Sequence, residues 1–286
     1  MNMLSYIKTG TLLFLLLGFQ AAFLPVHAAE KADVPPSIRP YVRKAATHLR
    51  GLPLAQREAA LAEISGLLYS DSGNSVYGSK TKGETVEIRR GTKVIEKVKV
   101  PYTPIRQGAR FVDSKGNVHD FYATIGKLKG NDQLTQRWKL AKLNIYKAGK
   151  DAVLAEFESE LKDMHTQRGI YFLKQMAPEL RAALFAEVLG LLFHDDGRDV
   201  YTGKPAYSTI SGYRVPYKAY RKGAKYIDAE GNTHGIAEVR EEANTRGKAW
   251  RTWWPGVKLN LHCAGESRIF AAFEDEISTM KRYARK

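Results

Sequence analysis

The side chains best suited to chemistry in this chain gather in its second half. His194-Asp195-Asp196 with Asp199 close behind, Asp228, His234 and the pair His262-Cys263 all fall there. Imidazole nitrogen and carboxylate oxygen together bind zinc and related divalent cations, so His194 and Asp195 are candidate metal ligands if a metal cofactor is used. Asp228, His234 and His262 are the candidates for a hydrolytic centre, in which a bound metal activates water or polarises a phosphoryl oxygen. The corresponding first-half positions carry Ser70-Asp71-Ser72 and Tyr146-Lys147, so any such site belongs to the second half alone.

Asp228 and His234 lie in YIDAEGNTHG (226–235), which has a near-copy in FVDSKGNVHD (111–120). Most of this pattern is turn chemistry. Aspartate at the start of a turn accepts backbone hydrogen bonds, glycine takes a positive φ, and asparagine tolerates turn geometry. The spacing lacks the alternating oxygen ligands and closing glutamate of an EF-hand calcium loop. Only His119 and His234 exceed what a hairpin turn requires, and a strand histidine with one satisfied hydrogen bond is the simpler account of both.

The elements that must position these residues also come in pairs. LLYSDSGNSVYGSK (67–80) matches LLFHDDGRDVYTGK (191–204) at seven of fourteen positions, and VPYTPIRQGARFVDSKGNVHD (100–120) matches VPYKAYRKGAKYIDAEGNTHG (215–235) at ten of twenty-one. KLN recurs at 142–144 and 258–260, and AVLAEFESELKDM is answered by RIFAAFEDEISTM. A period this long indicates a duplicated domain, not a solenoid of short repeats. The first unit carries about nine extra residues within TKGETVEIRRGTKVIEKV.

Each unit begins with an amphipathic helix, AQREAALAEISGLLY or PELRAALFAEVLGLLF, the latter with Pro178 at a helix start. A polar loop, strand-like runs and the Asp–Gly–Asn–His turn follow, and KLNIY and VKLNLHC read as last strands before a closing helix. The expectation is therefore an α+β fold: two diverged copies of one helix–antiparallel-meander–helix module, packed as a pseudo-two-fold body. The boundaries expected are a signal peptide at 1–28, an extended linker at 29–40, a first repeat module at 41–164 and a second at 165–286.

The start of the chain reads as an export signal. Lys8 precedes the apolar run TLLFLLLGFQAAFLPV, and Val26 and Ala28 suit cleavage after Ala28, which places the protein in the periplasm or outside the cell. An uncleaved anchor would need a longer uninterrupted apolar run. Cys263 is the single cysteine, which excludes an internal disulfide and leaves stability to packed cores. The formal net charge of +15 favours acidic partners such as nucleic acid, anionic lipid or envelope polymers.

VYTGKPA, followed by YID, is similar to the start of HNH-type nucleases of the ββα-metal class. That resemblance implies metal-assisted attack on a phosphodiester, with Asp228, His234 and His262 as the acting group. In that class a histidine directly follows the strand aspartate; here Ala229 follows Asp228, and His234 stands six positions on. The chain has no G-x-S-x-G elbow, P-loop, H-E-x-x-H or dinucleotide fingerprint.

The binding surface is better specified than any catalytic site. PYKAYRKGAKY (216–226) interleaves Tyr217 and Tyr220 with Arg221 and Lys222, and TRGKAWRTWWPGVK (245–258) sets Trp250 and Trp253 beside Arg251. Cations neutralise phosphates while flat rings stack on bases or sugars. These features predict a basic protein that binds an acidic polymer, nucleic acid or an anionic envelope component. A metal-dependent nuclease and an inhibitor or immunity-type protein with a protein partner are the alternatives.

Overall fold

The computed structural model describes residues 34–90, 92–210, 213–246 and 249–285. The expected signal peptide, and the linker before Val34, lie outside them. The protein is a mixed α+β fold in which helices enclose the cores and the strands form small antiparallel ladders.

Helix α1 (Arg39–Arg50) begins inside the expected linker, directly after a turn at 36–38. It buries Val42, Ala45, Ala46 and Leu49, whose three- and four-residue spacing puts them on one face. Helix α2 (Leu54–Ser65) follows and stops at Gly66, which takes the left-handed conformation (φ 80°) that ends helices at little cost in glycine. Strands β1 (Lys82–Arg90) and β2 (Lys93–Tyr102) form a long hairpin. The short ladder of β3 (Arg110–Val112) and β4 (Val118–Asp120) comes next. Then come α3 (Phe121–Gly126), α4 (Asp132–Ala148), α5 (Lys150–Leu154), a 3-10 turn at Ala155–Phe157 and α6 (Glu158–Gln175).

The same order then runs again. Helix α7 (Pro178–Leu189) leads to the hairpin β5 (Tyr201–Ile210) and β6 (Tyr213–Tyr220), then to the short ladder β7 (Lys225–Ile227) and β8 (Thr233–Gly235). It closes with α8 (Ile236–Arg246), α9 (Ala249–Ala264), α10 (Glu266–Phe270), a 3-10 turn at Ala271–Phe273 and α11 (Glu274–Tyr283).

Two expectations need correction. KLNIY and VKLNLHC are not strands: they lie within α4 and α9. Ile145, Tyr146 and Val257 favour strand locally. The longer period prevails, because Trp138, Ala141, Ile145 and Ala148, and equally Trp254, Val257, Leu261 and Ala264, recur at helical spacing and all are buried. Nor do the strands join into a meander. Among the described residues they form four separate two-stranded ladders, because the three-residue ladders are too short to extend the long hairpins into one sheet.

Each half has its own core. The first gathers α1, α2, α4 and α5 around Leu49, Leu61, Phe111 and Met164; the second gathers α7, α9 and α11 around Phe172, Phe185, Tyr226 and Met280. First-half residues Tyr69 and Val112 belong to the second core, so the two cores meet. Helix α6 crosses α9 where Gly256 faces Phe172. A Cβ there would stand 2.8 Å from Phe172 Cε2, so glycine is what permits the approach. Val86, Val100 and Leu143 fasten the first hairpin to α4, and Val215, Leu259 and Cys263 fasten the second to α9. Cys263 is buried there, and that burial pushes its thiol up to about 12.

Candidate polyanion-binding face

The two Asp–Gly–Asn–His segments have the same geometry. Asp228 Oδ1 accepts the backbone N–H groups of Glu230 (2.9 Å) and Asn232 (2.8 Å), and its Oδ2 meets Asn232 Nδ2 (3.3 Å) and His234 Nε2 (2.7 Å). Asp113 makes the equivalent contacts with Lys115, Asn117 and His119. Gly116 and Gly231 both sit at φ 90°, where a side chain would be strained. His119 stacks on Phe111 and His234 on Tyr226, with ring centroids 5.1 and 5.3 Å apart. Burial raises the Asp228 carboxyl, but the hydrogen bonds from His234, Asn232 and Glu230 outweigh it and hold the group below the usual range. Both oxygens of Asp228 are thus committed to the turn, and His234 is oriented by the same aspartate.

The remaining candidates for metal or proton chemistry are dispersed. His194 is buried with its Nε2 unpartnered, its ring facing Gly223. Asp195 is exposed and ion-pairs with Lys225, the counterpart of the Asp71–Arg110 pair in the first half. His262 lies half-buried on α9. Among the described residues, no three His, Cys, Asp or Glu side chains are disposed to hold a metal ion, so His194, Asp195, His234 and His262 do not form the divalent-metal site that their chemistry suggested.

The second hairpin is a different kind of surface. Residues 201–222 contain Lys204, Arg214, Lys218, Arg221 and Lys222 and no Asp or Glu. Val215 is buried on α9, so strand alternation puts Arg214 and Pro216 on the opposite face, where Tyr207 pairs with Pro216. Tyr207 is 49% exposed, with the Arg214 guanidinium 3.8 Å from its ring centroid. Tyr217 is 36% exposed, with Lys258 Nζ 5.2 Å from its ring, and Lys218 Nζ lies 5.8 Å from the ring of Tyr201. Arg221 and Lys222 are exposed where β6 ends, Arg221 donating to the Asp199 carbonyl. Tyr220 is half-buried and accepts from Arg240 at 2.6 Å.

The tryptophans are placed otherwise. Trp253 packs against the second core, 6.4 Å from Phe172, and Trp254 is buried. The side chains of Trp250 and Arg251 lie outside the described residues. Sequence reasoning passed over Tyr207, Arg214 and Lys258. The acid-free run from Tyr201 to Lys222 was the available signal for the first two, whereas Lys258 joins the face only because α9 is a helix beneath the hairpin.

Beneath this face, Lys258 ion-pairs with the buried Glu187 and lies over both Trp254 and Tyr217, while Arg240 lies over Trp254. In the first half, Lys142 occupies the corresponding place over Trp138 and Tyr102 and pairs with Glu84. Nearby, burial pushes the Glu63 carboxyl up to about 7. The first hairpin differs in charge. Glu87 pairs with Arg89 and Lys97, and Glu96 with Lys147, so much of its positive field is neutralised internally. The cations of the second hairpin have no carboxylate on their own strands.

Compared with family models, curated proteins and solved structures, the chain matches none of them. Among the described residues no helix is long and apolar enough to cross a membrane.

Proposed function

We propose that this protein binds an acidic polymer, nucleic acid or an anionic envelope component, on the β5–β6 hairpin, with Tyr207 on its outer side and Tyr217 on the side toward α9. The observation that carries the reading is the acid-free hairpin, whose exposed Tyr207 and Tyr217 rings each have a cation beside their faces. Such rings stack on bases or sugars without reading sequence, while Arg214, Lys218, Arg221 and Lys222 neutralise the anionic chain. The reading extends to export to the periplasm or beyond, on the strength of the signal-like start of the chain. It extends also to descent of the two halves from one module packed about a pseudo-two-fold axis. The matched segments and the repeated element order support that descent, and divergence left the binding surface on the second copy.

Fluorescence anisotropy with a labelled single-stranded oligonucleotide and a labelled anionic polysaccharide tests the reading and separates the two polymer classes. Replacing Tyr207 and Tyr217 together by Ala should weaken binding by tenfold or more, since stacking contributes about 1–3 kcal/mol per base. Both rings are exposed, so thermal unfolding should stay unchanged. Binding of neither polymer would refute the proposal, and polymer cleavage would place the protein among hydrolases.

A further inference from the structure

In the matched segments, Leu67, Leu68 and Tyr69 after α2 correspond to Leu191, Leu192 and Phe193 after α7. The two places are built alike. Tyr69 and Phe193 exchange backbone hydrogen bonds with Arg110 and Lys225 of the short ladders, and Arg57–Glu160 and Arg181–Glu276 pair at 3.0 Å in each half. The helices that close the halves also take one path, Gln167 lying against Gly116 as Tyr283 lies against Gly231.

What covers the two places differs. Helix α6 runs on past Met164, and its Tyr171 and Phe172 rings lie 5.8 and 5.1 Å from the ring of Tyr69, centroid to centroid. Leu67, Leu68 and Tyr69 are accordingly buried. Leu191 and Phe193 are only half-buried. Beside them opens a cleft of about 270 Å³, walled by Leu191, Leu192 and Phe193 and rimmed by Lys281 and Arg285 at the end of α11. Both cations are exposed, and no carboxylate pairs with either among the described residues.

An apolar wall rimmed by unpaired cations is complementary to a partner with an apolar body and negative charge. A second copy of this chain does not supply one. In the same correspondence its α1 brings Thr47 and His48 to the positions of Tyr171 and Phe172. That helix also carries Arg39, Arg43, Lys44 and Arg50 with no carboxylate, so like charges would face Lys281 and Arg285.

We infer that this cleft is a docking site for an acidic polypeptide segment, which sets adjacent aromatic side chains against Leu191 and Phe193 and carboxylates against Lys281 and Arg285. Tyr171 and Phe172 over Tyr69 are the pattern for the aromatic part, and the two cations define the charge. The inference rests on the correspondence between the halves and not on the polymer reading.

A random-peptide phage library selected on the full chain tests it. Enriched sequences should join adjacent aromatic residues to Asp or Glu. A synthetic peptide of the enriched sequence should lose roughly tenfold or more in affinity when Lys281→Glu and Arg285→Glu are combined, because like charges then meet. Both side chains are exposed, so thermal melting should not change; should it fall, Lys281→Gln with Arg285→Gln should still weaken the peptide. Tyr207→Ala with Tyr217→Ala should leave peptide affinity unchanged, which separates this site from the hairpin whether or not a polymer binds there. The inference is overturned by a selection that enriches nothing, by enriched peptides without carboxylates, or by binding that survives the charge reversal. A dimer that Lys281→Glu dissociates would also overturn it, by making a second copy the occupant.

Discussion

Asp228→Ala separates a turn from an active site. If Asp228 exists to hold its loop, the substitution removes an acceptor serving two backbone N–H groups, the Asn232 amide and His234. Hydrogen bonds to a charged group contribute about 1.5–3 kcal/mol each, and buried donors left unpaired cost about 1–3 kcal/mol. The two backbone donors at the low end give about 3 kcal/mol. The amide and histidine can turn toward water and add less, so the expected loss is about 3–4 kcal/mol. Urea unfolding followed by circular dichroism should show the midpoint fall by about 1–2 M. Asp113→Ala should behave alike, having the same contacts. The carboxyl is held below its ordinary range, so its contribution is complete above about pH 4 and lost as pH falls through the folded-state value. Asp228→Ala should therefore also be less sensitive to acid than the unaltered protein. A loss under 1 kcal/mol with an unchanged acid limb would refute the turn account and return Asp228 and His234 to the list of catalytic candidates.

Glu63 has the opposite sign. Its folded carboxyl is raised to about 7, so its protonated form favours the fold at low pH and that contribution disappears as pH rises from about 4.5 to about 7. At 1.36 kcal/mol per pKa unit the span is at most about 3 kcal/mol, trimmed by the water its side chain still meets. Glu63→Gln should flatten this part of the stability–pH curve, and an unchanged slope would count against the assignment. Lys258→Met leaves Glu187 as a buried unpaired carboxylate and should cost about 3–5 kcal/mol; adding Glu187→Leu should recover much of that, read from chemical denaturation of the single and double variants. Additive losses would mean that the two residues act separately.

The opening helices and the Asp–Gly–Asn–His turns were legible because each is written locally, in spacing or in residues with a fixed conformational use. Helix α1 has the same kind of apolar spacing, but Pro35, Pro36 and Pro40 around its start draw the eye to a linker. KLNIY and VKLNLHC misled because five residues of β-favouring composition are too short a window; the buried positions that settle the matter extend over most of α4 and α9. Tyr217, Tyr220, Arg221 and Lys222 were put forward as binding residues by composition alone. Lys258, Arg240 and Glu187 come from three different helices, and nothing in their neighbours along the chain signals that they meet beneath the hairpin. Trp253 was drawn to the surface by its basic neighbours, yet helical spacing turns it toward Phe172. Of the histidines and aspartates of the second half, Asp228 and His234 meet within their own turn and Asp195 pairs with Lys225, and among the described residues no three of them group to hold a metal ion.

The salt dependence of polymer binding tests the central claim most directly. Arg214, Lys218, Arg221 and Lys222 are four exposed cations on and beside β6. For a single-stranded oligonucleotide, four neutralised phosphates give a slope of about −3 in log K against log salt concentration. The account predicts that slope for the unaltered chain, and one shallower by about 1.4 after Arg214 and Lys218 are both replaced by Gln. Binding that ignores salt, or a slope untouched by the double replacement, would contradict it.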